Sequence, residues 1–310
     1  MCLVMSKKGW KDHLLSSGVP LEYSVRRVFE ELGIRQPEEF KYERKNADGV
    51  PQVFSVDIVS TGIDLQRRFW VESLVECKYR HDGTKWVFTP MEYQHDIYRP
   101  RFRDLFVTLD QCCPDKKLDP TILNDLRDYF PLCGKGIELL PEDTNPKSIE
   151  QAVKQLRYGV IAKTVDALIH QIDKLLGDFI PIFVFLPIIV TTAELWRLKT
   201  NTTIEEIRAA EEISNVADRH DFVVLMEDPD NLDRRYTTTL LQESLDADQQ
   251  AEMNRLLQET MKQTFPFFVD HFSAYVPSLF LVISYERFSS AMVMLHKFFG
   301  KDGLVQARGV

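Results

Sequence analysis

The sequence predicts an α/β fold, and three observations carry this prediction. Helical and strand periodicities alternate along the 310 residues rather than falling into separate blocks. The first part of the chain follows the order helix, three strands, long helix, strand. Hydrophobic residues make up 44% of the chain and are spread along its whole length, which favours a large packed core and excludes extensive disorder.

The first predicted helix begins at Gly18-Val19-Pro20, because proline suits the first turn of a helix. Its apolar residues follow helical spacing, and Gly33 is a suitable stop. Strands are predicted over residues 40–45, 53–59 and 70–79, with a short fourth strand over 85–88. Turns are predicted at Asn46-Ala47-Asp48-Gly49 and at Thr61-Gly62.

The remaining elements extend the same alternation. Residues 90–146 are interpreted as an insertion with small elements of its own, and a long helix follows from Pro146 to about residue 176. The apolar stretch over residues 179–190 is too short to cross a membrane, and a buried strand is predicted over 182–191. Beyond it we predict a helix, strand, helix, strand and helix over 203–218, 222–226, 239–263, 279–284 and 287–299.

These elements suggest one compact domain in two parts. The core occupies residues 1–190, with the insertion at about 90–146. Residues 191–310 form an α/β extension that packs on the same sheet or continues it. The five cysteines are odd in number and lack zinc spacing, and no secretory signal opens the chain, so we expect a cytoplasmic protein without a membrane partner.

A charged constellation lies inside two neighbouring predicted strands. Asp57 belongs to the second strand, and Glu76 and Lys78 lie two residues apart in the third, so both point to one face. Charge in an apolar strand requires a partner or a metal ion. Two carboxylates suit Mg²⁺ or Mn²⁺, Lys78 can orient the attacking water or meet a phosphate, and the backbone carbonyl of Cys77 is a candidate third ligand.

This constellation resembles the PD-(D/E)XK nuclease superfamily over residues 18–190. The resemblance rests on Asp57 followed by Glu76-Cys77-Lys78, with Val56 where the motif name has proline. Gly18-Val19-Pro20-Leu21-Glu22 resembles the Gly-x-x-x-Glu opening of the Mrr-like and Holliday-junction-resolvase-like branches.

The resemblance implies a restriction-endonuclease-like αβββαβ core, with a mixed central sheet flanked by helices. It also implies a Mg²⁺- or Mn²⁺-dependent endonuclease acting on DNA in prokaryotic defence, restriction or DNA processing. In such relatives the helix glutamate joins the metal site, which suggests that role for Glu22. Related branches place Gln and Tyr on the long helix near the substrate. This suggests Gln155 and Tyr158, although their Gln-x-x-Tyr spacing is shorter than expected.

Basic residues beside the motif are candidate nucleic-acid contacts. Arg80 and His81 follow Lys78 directly and can either touch a phosphate or simply end the strand at the surface. Arg99, Arg101 and Arg103 alternate with aromatic residues, a mixture that suits phosphate contact and base stacking, or else a solvated loop.

Structural interpretations stand beside the functional ones. Asp57, Glu76 and Lys78 can form a cross-strand salt bridge, and Glu22 can pair with Arg26 one helical turn away. The net charge of −9 argues mildly against nucleic-acid binding. The alternative function is therefore a nuclease-fold recognition module, or partner subunit of a defence complex. RNA as substrate and a homodimer that cuts both strands also stay open.

Overall fold

The computed structural model describes residues 9–45, 49–64, 69–92, 102–109, 116–118, 130–140, 147–174, 182–272, 276–299 and 305–307. Within these residues the chain forms a mixed sheet of eleven strands flanked by helices, which confirms the predicted α/β class. The helices are α1 (Trp10–Ser16), α2 (Val19–Glu31), α3 (Lys147–Lys174), α4 (Ile204–Ala209), α5 (Asn231–Ser244), α6 (Ala247–Met261), α7 (Phe265–Phe272) and α8 (Tyr285–Phe299).

The strands alternate with these helices. They are β1 (Arg35–Lys45), β2 (Pro51–Asp64), β3 (Phe69–Lys78), β4 (Lys85–Pro90), β5 (Val107–Leu109), β6 (Lys116–Leu118), β7 (Leu132–Leu139), β8 (Ile182–Thr191), β9 (Glu194–Leu198), β10 (Ala217–His220), β11 (Phe222–Met226), β12 (Leu279–Ser284) and β13 (Val305–Ala307). Short 3-10 turns lie at Phe102–Leu105 and Ile213–Asn215.

The large sheet runs in the order β1-β2-β3-β8-β12-β11-β7-β4-β9-β10, and β5 pairs with β8 beside this path. Strands β1 to β3 form an antiparallel meander. Strand β8 returns through α3 and pairs in parallel with the whole length of β3, from Phe69–Ile182 to Lys78–Thr191. Strands β6 and β13 form a separate two-stranded sheet.

Helices cover both faces of the sheet and create two apolar cores. Along β8, Phe185 and Ile189 face the core beneath α3, whereas Val184 and Ile188 face the core beneath α2 and α8. All ten residues of β8 are buried, which explains why its sequence is continuously apolar rather than alternating. In the described part of the chain, no helix is both long and apolar enough to cross a membrane.

Several element predictions were wrong in detail. Residues 61–62 lie within β2 rather than in a turn, because Thr61 and Gly62 pair with Glu72 and Val71 of β3. The helix predicted over 203–218 is divided into α4, a 3-10 turn and β10. The helix predicted over 239–263 breaks before α6, where the Asp246 side chain accepts a hydrogen bond from the Gln249 backbone and caps a new helix. From the predicted insertion, β7 lies within the large sheet, between β11 and β4.

Candidate active site

Strands β2 and β3 part at the position of the predicted charged cluster. Their ladder ends at the Ile58–Val75 pair. Before that point β2 pairs only with β1, and after it β3 pairs only with β8. The gap between β2 and β3 therefore opens beside Asp57 and Glu76, the next residue on each strand. Backbone groups that face this gap do not take part in the β2–β3 ladder.

An irregularity in β2 coincides with Asp57. The β1–β2 register shifts between the Phe40–Val56 and Glu38–Val59 pairs, so β2 contains an extra residue there. The Asp57 carboxylate accepts a hydrogen bond of 2.7 Å from the Cys77 backbone N–H. Arg26 of α2 donates to the Asp57 backbone carbonyl at 3.0 Å. Asp57 is thus held from both sides at the point of separation.

The Cys77 carbonyl faces the same gap as the Asp57 carboxylate. The N–H and C=O of one strand residue point to the same side, and neighbouring residues alternate. The Cys77 N–H points towards Asp57, whereas the Lys78 carbonyl accepts a hydrogen bond of 2.9 Å from the Thr191 hydroxyl on the β8 side. Both observations direct the Cys77 carbonyl towards β2.

Glu76 is a buried carboxylate with one free oxygen. The residue is only 1% exposed. Its Oε1 accepts a hydrogen bond of 2.6 Å from Lys78 Nζ, while its Oε2 is buried without a hydrogen-bond partner. Burial raises the pKa of Glu76 to about 8, against the opposing charge of Lys78, and the negative charge of Asp57 adds to the increase. A buried polar oxygen without a partner is costly, so this atom is a candidate ligand for a cation.

The long helix α3 supplies a second partner for Lys78. Gln155 Oε1 accepts a hydrogen bond of 3.0 Å from Lys78 Nζ. The Lys78 side chain is 19% exposed, so its ammonium lies at the edge of the buried cluster rather than in open solvent. The structure therefore brings Gln155 into contact with Lys78, while the substrate contact that the resemblance implies for Gln155 stays a prediction.

Glu22 borders the cluster from the first turn of α2. Partial burial raises the pKa of Glu22, the negative charge of Asp57 raises it further, and Arg26 opposes both. Among the described residues, however, no three His, Cys, Asp or Glu side chains converge into a metal-binding group. Any ion here would rely on two carboxylates, a backbone carbonyl and water.

That donor set fits Mg²⁺ or Mn²⁺. Mg²⁺ prefers oxygen ligands, keeps several waters and is commonly held by one or two carboxylates. Asp57, Glu76 and the Cys77 carbonyl supply oxygen ligands, and the unpartnered Glu76 Oε2 provides a buried acceptor. A thiolate is not available, because burial raises the pKa of the Cys77 thiol well above its ordinary value.

Tyr158 packs against residues of β1 and α5, and the substrate contact suggested for it stays a prediction. Its ring packs against the Arg44 guanidinium at 4.1 Å and edge-on to Tyr236 at 5.0 Å. Residues three apart on a helix share only part of a face, and here Tyr158 packs towards β1 and α5. In this position Tyr158 packs α3 against β1 and α5.

Arg80 takes a structural position in the described chain. Its guanidinium pairs with Glu138, a buried carboxylate that the sequence analysis missed. The Trp86 indole N–H and the Ser148 hydroxyl also donate to Glu138, each at 2.7 Å. These contacts hold the Arg80 guanidinium against the protein, and its suggested phosphate contact stays a prediction.

Of the other basic candidates, only His81 has a side chain among the described residues. His81 is exposed and lies 3.4 Å from the Ser16 hydroxyl of α1. Arg99 and Arg101 lie outside the described residues. The backbone of Arg103 belongs to the Phe102–Leu105 turn, while its side chain lies outside the description.

The contacts that three residues make near the site were missed: those of Arg26, Tyr42 and Gly159. Tyr42 and Arg26 each contact a residue distant in sequence, so no local pattern identified them. Gly159 carried a usable signal, because an isolated glycine inside a helical pattern often marks close packing.

Comparison with protein-family models, with curated proteins and with solved structures gives no match. The functional interpretation therefore rests on the geometry and chemistry of the residues themselves. Their arrangement combines two carboxylates, a freed carbonyl and a lysine at the point where two strands separate.

Proposed function

We propose that this chain is a divalent-metal-dependent endonuclease that hydrolyses phosphodiester bonds in DNA. One observation carries the proposal: β2 and β3 separate where Asp57, Glu76, the Cys77 carbonyl and Lys78 meet, and Glu76 keeps a buried oxygen without a partner. Such a cluster costs folding free energy, so a ligand is its simplest explanation.

The element order supports assignment of a restriction-endonuclease-like core. Six neighbouring elements form an αβββαβ unit. They are helix α2, the antiparallel strands β1 to β3, helix α3 and strand β8, which is parallel to β3. The candidate residues fall on α2, β2, β3 and α3 of this unit. The remaining strands extend the same sheet beyond β8.

Asp57, Glu76 and the Cys77 carbonyl would hold Mg²⁺ or Mn²⁺. When bound, the ion would lower the pKa of a coordinated water and neutralise charge on the phosphate. The Lys78 ammonium can donate to a phosphate oxygen or to the attacking water, with Gln155 fixing its direction. Glu22 adds a carboxylate of raised pKa at the α2 side, suited to accepting a proton from that water.

A nuclease-fold recognition module is the second candidate. It is favoured by the contacts of Lys78, because the ammonium group already donates hydrogen bonds to Glu76 and Gln155. The net charge of −9 also favours a protein partner over a phosphate backbone. In either case, prokaryotic defence or DNA processing is the setting suggested by the family resemblance, with a homodimer or a partner subunit as the assembly.

A cleavage assay distinguishes the two functions. Purified protein is incubated with supercoiled DNA, linear DNA and RNA, with Mg²⁺, with Mn²⁺ and with a chelator. We expect DNA cleavage that the chelator abolishes and Mg²⁺ restores, and a loss on the order of 10²-fold or more in Lys78→Ala. Lys154→Ala, which changes an exposed lysine of α3 that pairs with Glu150, is the matched control. Binding of DNA with no cleavage under any of these conditions would support the recognition module instead, and cleavage of RNA alone would change the substrate.

A further inference from the structure

We infer that Tyr42 and Gly159 are positioning residues that set α3 at the distance from the sheet at which Gln155 can hold Lys78. Neither residue carries a role in the proposed chemistry. The inference concerns the geometry around Lys78, and only its catalytic consequence rests on the proposed function.

Tyr42 links β1 to α3 beside the site. Its side chain is buried, and its hydroxyl donates a hydrogen bond of 3.0 Å to the backbone carbonyl of Gln155. Burial raises the pKa of Tyr42 beyond its ordinary range, and the nearby negative charge of Glu76 contributes. The hydroxyl therefore stays protonated and remains a donor at all ordinary pH values.

Gly159 permits the close approach that this contact needs. A Cβ at position 159 would lie 2.3 Å from Val56 Cγ2, 3.6 Å from the Tyr42 ring and 3.8 Å from Leu74. The shortest of these distances is far inside van der Waals contact. Any side chain at this position would therefore push α3 away from β2 or displace Val56, the residue next to Asp57.

Tyr42, Gln155 and Gly159 act on the same turn of α3. In an α-helix the carbonyl of residue 155 accepts the backbone N–H of residue 159. The Tyr42 hydroxyl adds a second donor to that carbonyl, and its ring fills the space opposite the bare Gly159 backbone. The side chain of Gln155 leaves this fixed turn and reaches Lys78.

A purely structural role would give different results from a positioning role. If Tyr42 and Gly159 only fill space, Tyr42→Phe keeps the ring packing and leaves Lys78 unchanged. If they position Gln155, the loss of one hydroxyl loosens the Gln155–Lys78 contact. The effect then depends on the Gln155 side chain being present.

Chemical labelling of Lys78 tests the inference without metal or DNA. The folded full-length protein is exposed briefly to acetic anhydride, and acetylation of Lys78 is measured by peptide mass spectrometry relative to the exposed Lys154. We expect acetylation of Lys78 to rise about fivefold in Tyr42→Phe, the factor that corresponds to one net hydrogen bond. Gln155→Ala should give a similar rise, and adding Tyr42→Phe to Gln155→Ala should give no more.

Gly159→Ala provides an independent test, and a second substitution should reverse its effect. It should raise Lys78 acetylation, and adding Val56→Ala should reverse the rise, because that change removes the methyl group that the new Cβ would meet. Circular dichroism checks that each variant is folded. If Gly159→Ala does not fold, the Tyr42→Phe and Gln155→Ala pair decides alone.

Unchanged Lys78 acetylation in folded Tyr42→Phe would overturn the inference. So would a full additional effect of Tyr42→Phe in the absence of the Gln155 side chain. These outcomes are independent of the nuclease proposal. A wild-type protein that never cuts nucleic acid would contradict the proposed function, but labelling of its Lys78 would still test the positioning of Gln155.

Discussion

Glu76 occupies a position where a central strand normally carries an apolar side chain. Leu74 and Ile189, its neighbours in the sheet, are both fully buried and apolar. A carboxylate at this position loses its hydration. The hydrogen bond from Lys78 to one of its oxygens compensates for only part of the lost hydration free energy. The position is therefore destabilising in the absence of a ligand, which is the usual mark of a residue kept for function rather than for packing.

This cost predicts a specific pH dependence. The pKa of Glu76 in the folded chain, about 8, exceeds its ordinary value of 4.5. Between these pH values the unfolded chain releases a proton that the folded chain retains, so the free energy of unfolding falls as pH rises. Without metal, wild-type protein should lose on the order of 2–4 kcal/mol more than Glu76→Gln between about pH 5 and about pH 8.5.

Urea denaturation of both proteins at the two pH values measures this difference. Comparison with Glu76→Gln cancels the contributions of other titrating groups. Parallel pH profiles for the two proteins would show that Glu76 titrates normally. Mg²⁺ should restore part of the lost stability at the higher pH, since a ligand bound only by the folded chain stabilises it.

At the residue scale, sequence reasoning succeeded where the pattern is local. Glu76 and Lys78 were identified because strand alternation places residues two apart on one face. The contacts of Arg26, Tyr42 and Gly159 were missed because they join segments far apart in the chain, such as Tyr42 with Gln155. The free Glu76 oxygen likewise appears only when the packing around it is known.

At the scale of elements, helix α3 connects three parts of the molecule within one turn. Gln155 faces Lys78, Tyr158 packs on Arg44, and Arg157 enters a buried polar network with the C-terminal elements. The Arg157 guanidinium donates to Asp233 at 2.9 Å, to the Pro277 carbonyl at 3.1 Å, and to the Glu227 carbonyl.

We predict that Arg157→Ala strongly destabilises the protein. The substitution leaves the buried carboxylate of Asp233 without its ion-pair partner, and breaking a buried ion pair in this way costs about 3–5 kcal/mol. Lys154→Ala removes an exposed i,i+4 pair with Glu150 on the same helix and should cost less than about 0.5 kcal/mol. Urea denaturation compares the two variants, and similar small losses would show that the network is not important for stability.

Sequence patterns predicted long regular elements better than short ones. The strands over 182–191, 222–226 and 279–284 match β8, β11 and β12, because a buried strand has a dense apolar run. The segment 203–218 was misassigned because a helical cap at Thr203 starts a helix that ends after only six residues. Its continuation as β10 depends on pairing with β9, which the local sequence does not specify.

At the scale of the whole molecule, one sheet joins the candidate site to the C-terminal elements. Strand β8 pairs with β3 on one side and with β12 on the other, so the support beneath Glu76 includes residues from the last third of the chain. The boundary near residue 190 follows the sequence resemblance. Residues 191–310 were expected to pack on the same sheet or continue it, and both the sheet and the Arg157 network cross this boundary.

We propose that Asp57, Glu76 and the Cys77 carbonyl together hold a divalent cation. Crystals grown with Mn²⁺ test it most directly, because anomalous scattering locates the ion independently of any activity. We predict an anomalous peak in the gap between β2 and β3, within coordination distance of all three oxygen donors, that disappears in Asp57→Ala. Mn²⁺ bound elsewhere while this gap contains none would contradict the claim.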